Sequence, residues 1–492
     1  MRKIISLIAA AALTASCFSC SEKKKTEKEP VNVENTAEEP ALDEPVKQEY
    51  REFSEDSFTT LDVTLRVTDD EPPLKVHSIN VSELDFGEYI PPCKAEEYRD
   101  RYRTYYSNIG DEEYREKAEK EWEKSCTEPH KGDVYDIIVD GNDLYMTVRY
   151  DTMCTDVHET AIFRVNGLTG EKEELFRHSA PESSLYLNEM YMIKGVLYVN
   201  TKERGLCYLD EEKSELVTIL PSPDEVKSYT GILPNSADRL LIREVVNITE
   251  EVPEDYKPQN GQNSYSNDGE HYYIITGSDI AVKEYDFESK TWNVLYTAHK
   301  ESENADDDCP YIFGELFAWK EKPENSRKYD VCTENYRVST GLTGCEIIYA
   351  DDKKLVVKLG SASTTSDTKI VHVYDLENSM HYVIDYDGLG AKNCKSAGDG
   401  LVIFPAGMTG TVYYIIPELG LTFPLNKFND GETDFELGGW MGIDSSNDNK
   451  ALTYDINVRV GEHKVTDEMG NEFTEYEYER YRYWYTEEGS DE

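Results

Sequence analysis

The chain has 492 residues and a formal charge of −48, from 99 acidic and 51 basic side chains. A surface of that charge repels nucleic-acid phosphates and anionic lipid headgroups, so we expect neither as a partner. The hydrophobic content is only 38%, and 36 tyrosines supply much of the apolar surface that a core requires.

Residues 1–20 predict an export signal that is removed from the mature protein. Two basic residues, Arg2 and Lys3, precede a short apolar run at residues 4–13. A run of this length cannot span about 30 Å of hydrocarbon. The segment is therefore typical of a cleaved signal and not of a permanent transmembrane helix.

The end of this segment contains two cysteines, Cys17 and Cys20. Residues 13–17 read Leu-Thr-Ala-Ser-Cys, which resembles the lipobox of bacterial lipoproteins, although Thr14 stands where leucine is commonest in that family. The resemblance implies that Cys17, or alternatively Cys20, receives diacylglycerol. Two acyl chains would hold the exported protein durably at the cell membrane or cell surface. An ordinary secretory signal without lipid is the alternative.

Residues 21–57 are rich in Glu, Lys and Pro, with almost no large apolar side chains before Tyr50. This composition cannot bury enough surface to fold, so the segment is predicted to be a disordered tether. Residues 58–486 are predicted to form one domain with two insertions. The insertion at about 94–126 carries charge pairs at helical spacing and indicates short helices. The insertion at about 246–270 contains prolines and glycine and indicates a surface loop.

The domain contains a short phrase that recurs at nearly fixed spacing. Each copy centres on an acidic or amide residue, at Asn166, Asp210, Asp286, Asp330 and Asp375. These positions are separated by 44, 76, 44 and 45 residues. A period of about 40–50 residues is typical of propeller blades, and the longest interval fits one unit that carries an insertion.

Each copy lies between runs of β-branched and aromatic residues, which predict strands. The repeated Asp or Asn would open a turn by accepting backbone N–H groups two residues further on. The units therefore predict an all-β fold, a six- to seven-bladed β-propeller with a small helical insertion. The last strand, at 473–485, alternates aromatic and charged residues, and we expect a strand at 61–67 to help it close a seventh blade.

The repeat units resemble those of bacterial β-propeller proteins of the broad WD40/TolB type. The resemblance covers about residues 130–460, and the Gly-His and Trp-Asp signatures of true WD40 blades are missing from it. It implies a fold and says little about activity, because propellers carry many unrelated functions.

Eight cysteines follow the signal segment, and an even number in an exported chain is compatible with four disulfides. Cys93–Cys126 would close a distinct segment, and Cys309–Cys332 would close a blade. Free buried thiols are the alternative.

The sequence contains no GxSxG, P-loop, GxGxxG or HExxH motif. Of the nine scattered histidines, His372 lies on a predicted strand, and we expect it to be a packed or surface residue and not a ligand. One acidic stretch has oxygen-bearing residues at positions 1, 3, 5 and 12 of a calcium loop: Asp444, Ser446, Asp448 and Asp455. The glycine and the closing glutamate of such loops are missing, so a plain hairpin turn is the alternative. Apart from this calcium site, we expect no cofactor.

These observations predict a membrane-anchored extracytoplasmic lipoprotein whose propeller binds or scaffolds a protein or glycan, and catalysis is not expected. A carbohydrate-active enzyme, similar to glycoside hydrolases, is one alternative, and a structural partner in an envelope complex is another. An enzyme would bring two or three carboxylates together in the central channel. A binding module would instead carry exposed aromatic side chains on one face.

Overall fold

All residues that the computed structural model describes lie within one unit, Gln48–Glu492. They form 34 strands and three short 3-10 helices, Glu55–Ser57, Val81–Glu83 and Asp387–Leu389. The described residues are 51–89, 116, 120, 129–150, 159–178, 185–222, 228–233, 238–252, 272–300, 311–312, 316–359, 369–389, 393–404, 411–425, 435–437, 443–445, 452–466 and 472–487.

The first strands precede the repeat units. They are β1 (Arg51–Phe53), β2 (Thr59–Val63), β3 (Arg66–Val67), β4 (Leu74–Asn80), β5 (Glu88–Tyr89) and β6 (His130–Lys131). The strands β5 and β6 pair with each other as a small antiparallel sheet.

The remaining strands form the blades of a seven-bladed β-propeller, which confirms the predicted fold class. Blades 1 and 2 contain β7 (Asp133–Asp140), β8 (Asp143–Tyr150), β9 (Glu159–Asn166), β10 (Lys172–His178), β11 (Leu187–Ile193), β12 (Val196–Thr201), β13 (Gly205–Asp210) and β14 (Glu215–Leu220). Blades 3 and 4 contain β15 (Ser228–Leu233), β16 (Leu241–Val252), β17 (Tyr272–Asp286), β18 (Thr291–Lys300), β19 (Tyr311–Ile312), β20 (Phe317–Glu321), β21 (Asp330–Thr333) and β22 (Tyr336–Ser339).

Blades 5 to 7 complete the ring. Blades 5 and 6 contain β23 (Cys345–Ala350), β24 (Lys354–Leu359), β25 (Ile370–Asp375), β26 (Met380–Asp385), β27 (Asn393–Ala397), β28 (Gly400–Phe404), β29 (Tyr413–Ile416) and β30 (Leu421–Pro424). Blade 7 contains β31 (Phe435–Leu437), β32 (Ile443–Ser445), β33 (Leu452–Thr466) and β34 (Glu472–Glu487). Both β31 and β32 pair with β33, so together they take the place of a first strand.

The repeated Asp or Asn residues cap the turn between the third and fourth strands of their blades. The Oδ1 atom of Asp286 accepts the backbone N–H groups of Glu288 and Ser289 at 2.8 and 3.0 Å. Asn166, Asp210 and Asp375 make the same kind of turn in blades 1, 2 and 5. These side chains have a structural role, because each satisfies turn amides that no strand partner reaches.

Asp330 is the exception among the repeated positions. It begins β21, is buried, and its Oδ2 accepts a hydrogen bond from Nε of Arg337 at 2.8 Å. The turn of blade 4 is capped three residues later by Thr333, whose Oγ1 accepts the N–H of Tyr336 at 3.0 Å. The prediction that Asp330 caps the turn of blade 4 was therefore wrong. In this blade the hydroxyl of Thr333 does what a carboxylate or an amide does in blades 1, 2, 3 and 5.

A segment from Arg51 to Asn80, which we call the N-terminal belt, follows the outer edges of four blades in chain order. Its strands β1, β2 and β3 add in parallel to the outermost strands of blades 4, 5 and 6. The fourth, β4, pairs antiparallel with β34 and becomes the outer strand of blade 7. The pairing of β4 with β34 thus closes the ring.

The belt corrects two predictions. The closing strand is Leu74–Asn80 and not 61–67, which instead covers blades 5 and 6 through β2 and β3. Residues 51–57 of the predicted tether belong to the fold, because β1 extends blade 4 by one strand. A strand paired along an existing sheet gains backbone hydrogen bonds even when its composition is polar.

The two predicted insertions have different outcomes. In the segment at about 94–126, the structure describes only Glu116 and Lys120, and both are helical. Residues 246–252 of the predicted loop at about 246–270 belong to β16, which pairs with β17 in an extended hairpin. Residues 253–271 lie outside the described part of the chain. Among the described residues, no helix has the length and apolar character that crossing a bilayer requires.

Four cysteines in the described residues are buried free thiols: Cys207, Cys332, Cys345 and Cys394. The expectation of four disulfides, with Cys332 bonded to Cys309, is therefore wrong. Burial raises the pKa of the Cys332 and Cys394 thiols to about 12, so both remain protonated and serve as small apolar side chains of the core.

Candidate binding face

The two ends of the ring carry connections of different length. In an antiparallel blade, the turns after the first and third strands lie at one end, which we call the turn face. The connections after the second strand and between blades lie at the other end, the connection face. At the turn face, seven residues or fewer join consecutive strands of a blade. At the connection face the chain takes ten residues between β18 and β19 and nineteen, 253–271, between β16 and β17.

Two hairpins extend the connection face further. Strands β16 and β17 have 12 and 15 residues, and β33 and β34 have 15 and 16, whereas most blade strands have four to eight. The hairpin of blade 3 exposes Ile248, and that of blade 7 exposes Val460 and Tyr476. The Arg459 guanidinium carbon lies 3.9 Å from the centre of the Tyr476 ring. Apolar and aromatic side chains are therefore held in water at this end of the ring.

A group of three side chains lies where blades 1 and 2 meet at this face, and we call it the channel-mouth cluster. It consists of Tyr135 in β7, Arg149 in β8 and Tyr186 directly before β11. Because β7 and β11 are the innermost strands of their blades and begin at the connection face, the cluster lies at the mouth of the central channel. The Arg149 guanidinium carbon is 3.7 Å from the centre of the Tyr135 ring and 5.3 Å from that of Tyr186.

The backbone positions the two tyrosines of the cluster. The pairing of β7 with β8 shifts register between Val134 and Asp136, so Tyr135 is the extra residue of a β-bulge. A bulge redirects its side chain, and the Tyr135 side chain is 52% exposed. Tyr186 is held by its main chain: its N–H donates to Oε2 of Glu203 at 2.9 Å, and its carbonyl accepts the N–H of Lys202 at 3.2 Å.

A pocket of about 530 Å³ opens near the start of β7, where the segment that follows the belt meets blade 1. Its walls are residues 81–87 and 131–134, and Arg480 of β34 closes one side. Arg480 is held by protein groups: Nη2 lies 2.7 Å from Oδ2 of Asp455, and Nη1 donates to the carbonyl of Val134 at 2.8 Å. Burial lowers the pKa of Arg480, although Asp455 opposes this effect. Arg480 therefore joins blade 7 to blade 1 and does not offer a free charge to the pocket.

Only two of the four predicted calcium residues, Asp444 and Asp455, lie in the described part of the chain. Asp444 belongs to β32, and Ser446 and Asp448 lie outside the described residues. Asp455 lies within β33, buried between Arg480 and Arg482, so two cations already occupy its oxygens. Within the described part of the chain, no three His, Cys, Asp or Glu side chains group as metal ligands would. The predicted lipidation residues, Cys17 and Cys20, also lie outside it.

His372 is a packed strand residue, as predicted, and it pairs with the half-buried His381. Their Nδ1 and Nε2 atoms are 2.9 Å apart, and Nδ1 of His381 lies 3.1 Å from Oγ1 of Thr60 in the belt. Burial lowers the pKa of His372 to about 4, helped by the neighbouring His381. Burial also lowers the pKa of His381, against the attraction of Asp62. Both rings are therefore neutral at pH 7.

This pair predicts acid sensitivity in a defined window. In the unfolded chain His372 takes up a proton near pH 6.5, whereas in the folded chain it does so only near pH 4. The unfolded state therefore binds more protons between these values, and the free energy of unfolding falls as the pH decreases. We expect His372 to account for a loss of about 2 kcal/mol between pH 7 and pH 5.

Chemical denaturation at pH 7, 6 and 5 measures this effect. The variant His372→Gln should show a shallower pH dependence than the wild-type chain, whereas His463→Gln, at an exposed histidine, should not. Parallel curves for the wild type and His372→Gln would refute the assignment.

No family model and no curated protein sequence matches the chain. Among solved structures, it is similar to an acylaminoacyl peptidase from Pyrococcus horikoshii, with 10% identity over 70% of this chain, 57% of that chain and a TM-score of 0.44. It is also similar to an oligogalacturonate lyase in complex with manganese, with 11% identity, 73% and 96% coverage and a TM-score of 0.36. A third is the β-propeller domain of the trilobed protease from Pyrococcus furiosus, with 12% identity, 66% and 89% coverage and a TM-score of 0.37.

These likenesses concern the fold alone. The chain spans only 54% of a similar prolyl endopeptidase and 57% of the acylaminoacyl peptidase. The protein is a seven-bladed β-propeller with an N-terminal belt and one elaborated face. The channel-mouth cluster was not predicted from the sequence, because its three residues are brought together only when two blades pack side by side.

Proposed function

We propose that the protein is an exported, lipid-anchored β-propeller that binds or scaffolds a protein or glycan through its connection face. The main support is the difference between the two ends of the ring. The long connections and both extended hairpins lie at the connection face, whereas the turns at the opposite end are short. Rigid strands position such connections, and recognition is usually carried by connections of this kind.

The lipid anchor can be tested by replacing each cysteine separately. After growth with labelled palmitate, we expect Cys17→Ser to abolish incorporation and membrane retention, while Cys20→Ser retains both. Loss of label only in Cys20→Ser would move the anchor to that residue. Label-free wild-type protein would refute lipidation.

Binding through the connection face can be tested by screening the full chain on glycan and protein arrays. We expect hits whose signal decreases at least several-fold in Tyr135→Ala or Ile248→Asp, both at exposed side chains of this face. The matched control is Glu377→Ala, an exposed residue of the blade 5 turn at the opposite end. Hits that depend on Glu377 and not on the connection face would contradict the proposal.

A carbohydrate-active enzyme is the second candidate function. Exposed carboxylates occur near the beginning of three innermost strands, at Asp133 in β7, Glu189 in β11 and Glu346 in β23. An enzyme would release new reducing ends or unsaturated products from a bound polysaccharide, whereas a binding module would leave it intact. Product analysis on every glycan hit therefore distinguishes the two candidates.

A further inference from the structure

Arg149 lies against two aromatic rings instead of a described carboxylate. On the neighbouring strand Asp133 lies directly opposite it, yet the guanidinium forms no ion pair with any described residue. Its contacts are instead with the rings of Tyr135 and Tyr186. Arg177, in the same blade, pairs with two glutamates. Within the described part of the chain, no acidic side chain therefore takes up the hydrogen-bond donors of Arg149.

The geometry of such stacking determines what the arginine can bind. A guanidinium that lies against a ring retains N–H donors in its own plane, which match the two oxygens of a carboxylate. The backbone holds Tyr186 through Lys202 and Glu203, so this part of the cluster is positioned before any ligand arrives. Preorganised donors bind better because little rotamer freedom remains to be lost.

Tyr135 provides a second recognition element at the same place. Arg149 lies over its ring, and the residue is still 52% exposed, so part of the Tyr135 side chain remains accessible to a ligand. An open tyrosine ring packs against flat apolar surfaces, and its hydroxyl can form hydrogen bonds at the rim. The cluster thus offers a carboxylate donor set next to a stacking surface.

We infer that the channel-mouth cluster binds a sugar carboxylate, with Arg149 pairing with the carboxylate of a uronic acid and Tyr135 stacking on its ring. This inference rests on the proposed function and specifies its ligand. The net charge of −48 repels long polyanions, so the recognised unit is one or a few sugars and not an extended acidic polymer. An acidic peptide carries carboxylates without the rigid ring that Tyr135 would cover.

The test uses the full chain with D-glucuronate, D-galacturonate and the uncharged D-glucuronamide as probes. We expect at least one uronate to bind, with saturation transferred from protein aromatic protons to its ring protons in NMR, and the amide to bind at least tenfold more weakly. Arg149→Lys keeps the charge and loses the two-pronged donor geometry, so it should raise the Kd about tenfold. Tyr135→Ala should weaken binding, and Tyr135→Phe should retain most of it.

Arg204→Lys is the matched control, because Arg204 is exposed on the connection face of blade 2 and should leave the affinity unchanged. Circular dichroism establishes that each variant is folded. Equal affinity of wild type and Arg149→Lys, or of the uronate and the amide, would overturn the inference. Binding of triglutamate but of neither uronate would also overturn it. If array ligands depend on Ile248 and the uronates do not bind, the proposed function stands and this inference fails.

Discussion

Replacing Asp455 with Asn is expected to lower the free energy of unfolding by about 3–5 kcal/mol. The carboxylate lies between two arginines, with Oδ1 at 2.8 Å from Nε of Arg482 and Oδ2 at 2.7 Å from Nη2 of Arg480. Asp455 and Arg482 are both almost completely buried. Asparagine would leave two arginines without their anion, one of them deep in the core of blade 7.

The short approach of Arg482 Nε to Oδ1 is an ionic contact and not a hydrogen bond, and the only hydrogen bond from Arg482 to this carboxylate among the described contacts is a long one, from Nη2 to Oδ2 at 3.4 Å. Asp455→Asn therefore acts mainly by removing the negative charge of the side chain, because asparagine has nearly the same shape as aspartate. Equilibrium denaturation of both proteins measures the difference.

Glu462→Gln is the control for this prediction. Glu462 pairs with Arg459 on the same strand, but it is 61% exposed, so its loss should change stability by less than about 0.5 kcal/mol. If Asp455→Asn were as stable as Glu462→Gln, the buried cluster would not be what joins blades 7 and 1.

Truncating Phe58 to alanine is expected to cost about 3–5 kcal/mol. Phe58 is the belt residue between β1 and β2, and it is inserted between blades 4 and 5. Its ring centre lies 5.2 Å from that of Tyr374 and 5.5 Å from that of Phe53. Alanine would leave a cavity at this junction, and the belt would lose its main apolar contact there.

The control for Phe58→Ala is Leu61→Ala, three residues later in the same belt, where the side chain is 44% exposed. We expect a much smaller change there. Hydrogen exchange should also accelerate at β1 and β2 in Phe58→Ala, while blade 1 keeps its protection. Uniform acceleration over the whole ring would show that Phe58 supports global stability and not the belt in particular.

The fold could be predicted largely because its signal is local. A carboxylate or amide that accepts amides two residues on needs only its own turn, and Asp286 and Asp375 therefore stand out at blade spacing. The same reasoning wrongly assigned Asp330 as the turn residue of blade 4. The turn is capped by the hydroxyl of Thr333, and a threonine does not stand out in a search for repeated acidic residues. The blades could thus be recognised in the sequence wherever an Asp or Asn side chain caps the turn between the third and fourth strands.

The belt and the site could not be predicted in this way. A strand of three residues such as β1 has no periodicity of its own, and its pairing with β22 depends on a partner almost 300 residues away. The free state of Cys332 depends on burial that only the packed ring creates. Arg149 in blade 1 contacts the ring of Tyr186, which directly precedes blade 2, and no local sequence pattern predicts a contact between two blades.

The position of β4 has a consequence for biosynthesis. Ser78 faces Tyr483 in the closing pair, so β4 finds its partner only after the ribosome has added the residues of all the other blades. Contacts of such long sequence separation slow folding. A nascent or prematurely terminated chain that ends before β34 leaves β4 as an unpaired strand, which exposes it to proteases and to aggregation. Ring closure therefore distinguishes chains that contain β34 from shorter ones.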